Sequence, residues 1–184
     1  MAILLRKVKT INMKKIMLKV KSFQEKLNCS YCGPASLKIL FSYYGIDKTE
    51  KELAKMTGWD KELGVNDKGI KNAAERLGFK VEIKNNSNFK DIEKWLKRSV
   101  PVIVDWFTRG KADYNDSDVA DGHYSVVMGL DDKFIYIQDP EIGKMRKLER
   151  EDFMMVWFDF TGKYLKPNEL IIRQIIVIYK NYGT

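Results

Sequence analysis

A nearly continuous apolar run occupies residues 33–44, between the pair Gly33-Pro34 and a single Gly45. Proline is tolerated in the first turn of a helix, and glycine is favoured directly after the last turn. The run therefore predicts a helix. Because it is apolar on almost every side, we expect this helix to be buried. Cys32 precedes it, so its thiol is predicted at a helix N-terminus, where the helix dipole favours the thiolate form.

Three further helices are predicted in the first half of the chain. Thr49 and Glu52 have the spacing of a capping box, which predicts a helix that ends near Gly58. Asp67 is predicted to cap a third helix, whose apolar residues recur with helical spacing. A fourth helix is predicted around Trp95.

Strand patterns dominate the second half. Residues 101–106 form a compact apolar run, and the segments 123–129 and 133–140 flank a turn at Asp131-Asp132, which predicts a hairpin. Residues 170–179 are rich in β-branched side chains and predict a closing strand. Helices followed by antiparallel strands are typical of an α+β domain.

The composition fits one globular domain of 184 residues, with 45% hydrophobic and 32% charged residues. Lysines interrupt the short apolar pieces of residues 1–23, so we expect no membrane span and no secretory signal there. We expect residues 1–23 to form an N-terminal extension or leading strand and residues 24–184 to form the single domain. The oligomeric state is not indicated.

The net charge is +8, and the lysines are spread along the chain without an arginine-rich helix or a nucleic-acid motif. We therefore expect a solvated basic surface and no nucleic-acid partner. The two cysteines, Cys29 and Cys32, provide no disulfide framework, so we expect reduced thiols and a cytoplasmic location.

The chain has one histidine, His123. A thiol nucleophile needs a base, and the base needs a group that orients it. Asp139 ends the next predicted strand, and in an antiparallel hairpin the start of one strand lies beside the end of the next. The spacing therefore predicts that His123 and Asp139 are neighbours. The simpler interpretations are that Cys32 is a small buried residue and that Asp139 begins an Asp-Pro turn.

Several blocks of the sequence together resemble the papain-like cysteine peptidases of the bacteriocin-processing type, which remove leader peptides after a glycine pair. The blocks follow the family's order and are Cys32-Gly33-Pro34-Ala35-Ser36, Tyr43-Tyr44-Gly45, residues 101–104, 122–129 and 136–140, and Gly143. The resemblance covers about residues 24–148. It implies a papain-like α+β fold, in which a buried N-terminal helix that bears the cysteine packs on an antiparallel sheet. It also implies hydrolysis of a peptide or protein substrate without a metal or cofactor. We expect a free-standing form, since no exporter domain follows residue 184.

The resemblance also implies roles for individual residues. Cys32 would be the nucleophile, His123 the general base and then acid, and Asp139 the group that orients His123. A glutamine before the cysteine would donate to the oxyanion hole. Gln24 is of that type, but it lies eight residues before Cys32, where the family usually has six. Asn28 therefore remains an alternative donor.

Other functions stay open. Cys29 and Cys32 form a Cys-x-x-Cys pair of the kind that performs thiol-disulfide exchange, although such a site needs a strand directly before it. A peptide-binding protein with this fold and little activity is a further alternative, and so is acyl transfer to an amine. A zinc site lacks a fourth ligand of the usual type. Trp106 and the loop 108–122 are candidates for the substrate groove.

Overall fold

The computed structural model describes residues 14–25, 30–108, 121–160 and 166–180. The helices in these residues are α1 Cys32–Tyr43, α2 Glu50–Thr57, α3 Asp67–Arg76, α4 Phe89–Leu96 and α5 Arg150–Val156, with a short 3-10 helix at Pro167–Glu169. None of the helices in the described residues has the length and apolar character that crossing a bilayer requires.

The sequence signals at the helix ends are largely confirmed. Thr49 and Glu52 form the predicted capping box at the start of α2, and Gly58 ends this helix with a φ of 69°. At α3 the cap is Asn66 rather than Asp67, because the Asn66 side chain accepts the hydrogen bond from the Gly69 backbone N–H. The predicted cap is therefore wrong by one residue.

The strands in the described residues are β1 Ile16–Met17, β2 Lys80–Lys84, β3 Val102–Thr108, β4 Asp121–Leu130, β5 Phe134–Asp139, β6 Lys144–Glu149, β7 Phe158–Phe160, β8 Leu170–Ile172 and β9 Ile175–Tyr179. The main sheet is antiparallel with the order β2-β9-β3-β4-β5-β6, and β1 pairs with the end of β4. Strands β7 and β8 form a separate antiparallel pair. Within the predicted extension, residues 1–13 lie outside the described residues, and β1 joins the sheet.

The prediction of one continuous closing strand at 170–179 is wrong, because the structure has two strands there. The run is broken at Arg173, which has a φ of 48°, so that β8 belongs to the small sheet and β9 to the main sheet. The side chain of Gln174 is buried at the break and donates a hydrogen bond to the Asn85 side chain over 3.0 Å. The break thus depends on contacts with distant residues.

Two hydrophobic cores lie on opposite faces of the main sheet. Helix α1 is buried, and its residues Leu37 and Phe41 belong to the first core together with Val126 of β4. The second core contains Val127 of β4 and Trp157, and helices α4 and α5 cover it. The arrangement confirms the predicted α+β fold, in which the cysteine-bearing helix packs on an antiparallel sheet.

Candidate active site

Cys32 is the first residue of α1, and its free thiol is half-buried. The preceding residue, Tyr31, makes no side-chain cap hydrogen bond, and the first turn of α1 contains no acidic residue. The first turn therefore places no carboxylate at the positive end of the helix dipole, where the Cys32 sulfur lies. The Cys32 side chain lies close enough to His123 to raise the pKa of the imidazole.

His123 and Asp139 are neighbours, as the hairpin spacing predicts. The distance between His123 Nε2 and Asp139 Oδ1 is 2.8 Å. Both side chains are buried, with exposed fractions of 6% for His123 and 1% for Asp139. The structure therefore brings Cys32, His123 and Asp139 together, with His123 next to both of the other side chains.

A β-bulge at Met128 sets this juxtaposition. On one side of the bulge Leu130 pairs with Ile135, and on the other side Val126 pairs with Gln138, so the register shifts by one residue between them. Continuing the first register would set Asp139 opposite Val126, whereas the observed register brings it level with the next residue, Ser125. Because side chains alternate between the two faces of a sheet, the bulge puts Asp139 on the same face as His123.

Asp139 has a second partner that sequence reasoning missed. Its Oδ2 atom accepts a hydrogen bond from Nε of Arg146, and Arg146 Nη2 lies 3.6 Å from Glu141 Oε2. Arg146 lies on β6 opposite Ile137, two residues from Asp139. The only sequence signal for this contact is a basic residue on the strand after Asp139. Whether that residue reaches Asp139 depends on how β5 and β6 pair.

The two buried partners shift each other's proton affinity. Burial lowers the pKa of His123, but the hydrogen bond with Asp139, the interaction with Cys32 and the negative charge of Asp139 outweigh it and hold this pKa well above its ordinary value. Burial raises the pKa of Asp139, but the hydrogen bond from His123 and the charge of Arg146 outweigh it and lower this pKa. The site therefore favours an imidazolium next to a carboxylate.

Trp106 lies under the histidine. It is 4% exposed, its ring packs edge-on against His123 with 5.9 Å between centroids, and its Nε1 donates a hydrogen bond to Ser125 Oγ over 3.0 Å. The structure thus places Trp106 as a support for the imidazole, and its predicted contact with substrate stays a prediction. Residues 109–120 of the predicted groove loop lie outside the described residues.

The candidate donors of the oxyanion hole are placed only in part. Gln24 is exposed, and its side-chain amide donates a hydrogen bond to the Glu141 carbonyl over 3.3 Å. Asn28 lies outside the described residues, as does Cys29. The assignment of the side-chain donor therefore stays a prediction.

Further carboxyl groups surround the site. Burial raises the pKa of Glu25 to about 7, and nearby His123 opposes this shift. Asp105 is 1% exposed, and burial together with the adjacent Asp159 carboxyl raises its pKa well above the ordinary value. Sequence reasoning did not identify these two groups, because their burial is a property of the fold.

One set of side chains in the described residues has the spacing of a metal site. The ligand atoms of His123, Asp139 and Glu141 lie within 4.8 Å of one another. Arg146 pairs with both carboxylates, however, so its guanidinium group already compensates part of their charge. These contacts give the three residues a role without a metal.

Comparisons with known proteins connect this geometry to a family. The sequence profile of the Peptidase C39 family matches residues 19–166. The transport/processing ATP-binding protein ComA of Streptococcus pneumoniae R6 is 34% identical over 135 residues, which are 71% of this chain and 17% of that protein. An uncharacterized protein of Methanothermobacter thermautotrophicus is 30% identical over 135 residues, which are 73% of this chain and 79% of that protein.

The lactococcin-G-processing and transport ATP-binding protein LagD of Lactococcus lactis is 29% identical over 136 residues, or 74% of this chain. The chain spans only 17% of the length of LagD. It therefore corresponds to one part of these exporter proteins.

Solved structures show the same fold. The peptidase domain of Streptococcus ComA matches with a TM-score of 0.65 at 23% identity, covering 88% of this chain and 99% of that domain. A C39-like peptidase from Bacillus anthracis matches with a TM-score of 0.67 at 20% identity, covering 92% of this chain and all of the other. These likenesses confirm the papain-like fold.

Proposed function

This chain belongs to the Peptidase C39 family of cysteine peptidases, and we propose that it hydrolyses peptide bonds with Cys32, His123 and Asp139 as its catalytic triad. The observation that carries this proposal is the hydrogen bond between His123 and the buried Asp139 carboxylate, with the Cys32 side chain next to the imidazole. A nucleophile, a base and an orienting group in this order are what thiol-dependent acyl transfer requires.

In the first half of the reaction, the Cys32 thiolate attacks the carbonyl carbon of the scissile bond. A carbon–sulfur bond forms, and the carbonyl oxygen becomes an oxyanion. His123, as the imidazolium, gives its proton to the leaving amine as the carbon–nitrogen bond breaks. A thioester with Cys32 and a neutral His123 remain.

In the second half, a water molecule attacks the thioester while His123 accepts its proton. The carbon–sulfur bond then breaks, so the carboxylic acid product leaves and the thiolate–imidazolium pair is restored. Asp139 remains ionised throughout, and it holds His123 in the orientation that both proton transfers need.

The oxyanion requires preorganised N–H donors. The backbone N–H of Cys32 is one, since the first N–H groups of a helix have no partner within it. The second donor is a side-chain amide, for which we propose Gln24, with Asn28 as the alternative. Losing one such donor costs on the order of 2.7–4 kcal/mol of transition-state stabilisation.

The proposed substrate is a peptide, cleaved after two glycines. A double glycine motif protease of a PCAT transporter, solved in complex with the leader peptide, matches this chain with a TM-score of 0.62 at 22% identity. We propose the cytoplasm as the place of action, where Cys32 stays reduced.

The test is cleavage of a peptide library, read by mass spectrometry, with the wild-type chain and three variants. Cys32→Ser and His123→Ala should each abolish turnover and leave the thermal unfolding temperature within a few degrees of the wild type. Cys29→Ser is the matched control and should cleave like the wild type. Peptides with a glycine pair before the cut should be cleaved faster than peptides with an alanine pair.

Wild-type turnover in Cys32→Ser would refute the proposal. Loss of activity in Cys29→Ser alone, with thiol-disulfide exchange in the wild type, would indicate an oxidoreductase instead. Peptide binding without cleavage would indicate a binding protein.

A further inference from the structure

Arg146 contacts the catalytic carboxylate from the strand that follows it. It lies on β6 opposite Ile137 of β5. Paired residues of an antiparallel sheet share a face, and side chains two residues apart share it as well, so Arg146 and Asp139 lie on one face. Nε of Arg146 donates to Asp139 Oδ2, and its Nη2 lies 3.6 Å from Glu141 Oε2.

The two oxygens of Asp139 therefore have different partners. Oδ1 lies 2.8 Å from His123 Nε2 and accepts the Glu141 backbone N–H over 2.9 Å. Oδ2 accepts from Arg146. Because both oxygens are engaged from different directions, the carboxylate has no freedom to rotate away from the imidazole.

Arg146 also contacts Trp106, which in turn packs against the histidine. The guanidinium carbon of Arg146 lies 6.0 Å from the centre of the Trp106 ring, which itself packs edge-on against His123. Trp106 and Asp139 thus each contact the imidazole, and Arg146 contacts both of them from a third strand.

A carboxylate as buried as Asp139 is costly unless it is paired and hydrogen-bonded. We propose that Arg146 is the positioning residue of this site: it holds Asp139 ionised and in the orientation that His123 needs, and its charge sets the pH range of the reactive pair. This inference rests on the proposed peptidase function for its kinetic consequences.

The sign of the pH effect follows from charge. Removing a cation next to Asp139 and His123 favours the protonated form of both groups, so the acid and alkaline limbs of activity should both move to higher pH. Lysine keeps the charge but lacks the planar fork of arginine, so it should preserve the limbs and lose part of the orientation.

The experiment compares Arg146→Met, Arg146→Lys and the control Lys144→Met with the wild type. Lys144 is an exposed cation on the same strand, directly opposite Asp139. Arg146→Met should lower kcat about tenfold or more, leave KM within about twofold and raise both limbs by about one pH unit. Arg146→Lys should lower kcat with unchanged limbs, and Lys144→Met should match the wild type.

A wild-type pH profile and kcat in folded Arg146→Met would overturn the inference. So would a matching shift of the limbs in Lys144→Met, because the effect would then be a general one of surface charge. Circular dichroism at each pH confirms that the variants are folded. If Arg146→Met does not fold, Arg146→Lys decides, since unchanged kcat in that variant contradicts a need for the planar fork.

Alkylation of Cys32 by iodoacetamide separates this inference from the proposed function, because it needs no peptide substrate. The pH dependence of the alkylation rate should depend on His123 and move upward in Arg146→Met. If Arg146→Met shows this shift but the wild type cleaves no peptide, the peptidase proposal alone is refuted. A wild type that cleaves peptides but shows no shift in Arg146→Met would refute the role of Arg146 alone.

Discussion

At the scale of single residues, Glu25 is a half-buried acid that the proposed reaction does not use. Its backbone N–H donates to the Pro140 carbonyl over 2.8 Å, which fixes it beside the turn that follows Asp139. Its Oε2 atom is buried and makes no hydrogen bond within the described residues. Burial, with Glu141 and Glu50 nearby, raises its pKa from 4.5 to about 7, against the opposing effect of His123.

Glu25 should make the fold less stable as the pH rises. Between pH 4.5 and about 7 the unfolded chain has already lost this proton while the folded chain retains it, so the folded state binds more protons and its stability falls with rising pH. Glu25→Gln should therefore raise the unfolding temperature at pH 8 and leave it nearly unchanged at pH 4. Differential scanning calorimetry measures both.

Glu62→Gln is the matched control, because Glu62 is exposed. It should leave the unfolding temperature unchanged at both pH values. An equal gain in Glu62→Gln, or no gain in Glu25→Gln at pH 8, would contradict the assignment of this effect to the buried carboxyl group.

Asp139→Asn should reduce kcat about a hundredfold or more, though less completely than Cys32→Ser. The amide keeps the size of the side chain but removes the charge that stabilises the imidazolium, and it leaves Arg146 without its carboxylate partner. Stopped-flow kinetics and thermal unfolding would show losses in both activity and stability. The control Asp152→Asn, at an exposed position, should show neither loss. Turnover of Asp139→Asn near the wild-type rate would contradict a catalytic role for Asp139.

The sequence predicts the chemistry of the residues better than their surroundings. His123 is the chain's one histidine, and Asp139 ends the strand that follows it, so their proximity could be inferred from hairpin spacing. The contact of Arg146 and the burial of Glu25 could not, because each depends on which segments meet in space. A sequence pattern does not distinguish Arg146 from exposed Lys144 two positions away.

At the scale of elements, the small sheet is fitted tightly against the main sheet. Phe158 of β7 stacks on Phe107 of β3 with ring centroids 5.2 Å apart. The Asp159 carboxyl group lies against Gly122 of β4, so closely that an added Cβ at Gly122 would overlap it. Gly122 directly precedes His123, so this contact positions the start of the strand that bears His123.

Gly122→Ala should therefore destabilise the chain by about 1–3 kcal/mol through overpacking. It should also lower kcat, because the displacement begins next to His123. Asp159→Ala in the same chain removes the overlapping carboxyl group, so the double variant should be more stable than the sum of the two single changes implies. Urea unfolding of all four proteins measures the coupling, and strict additivity would contradict the proposed overlap.

Element types were easier to predict than their boundaries and registers. The capping box of Thr49 and the apolar run of α1 are local signals, and both elements are observed where these signals place them. The bulge at Met128 and the break at Arg173 are not marked by a local turn signal, because strand-forming apolar residues lie on both sides of each position. Both irregularities result from pairing with neighbouring strands. The pattern of residues along one strand carries no information about that pairing.

At the scale of the whole molecule, the positive charge of the chain affects how substrates arrive. The net charge of the chain is +8, and the basic residues are spread along the sequence. We therefore expect the field of the chain to attract anionic peptides at long range. Salt screens this attraction, since the Debye length falls from about 30 Å at 0.01 M to about 8 Å at 0.15 M. We therefore expect the encounter with a peptide to be sensitive to salt, and the chemistry of the proposed triad to be much less so.

For a peptide that carries acidic residues outside the cleavage site, kcat/KM should fall several-fold between 0.01 M and 0.15 M salt, while kcat stays constant. A neutral peptide with the same cleavage site should show little change in either constant, because it gains nothing from long-range attraction. The comparison is made by initial rates over a salt series at constant pH. An equal fall of kcat for both peptides would mean that salt acts on the triad or on the fold, and the basic surface would then have no part in substrate capture.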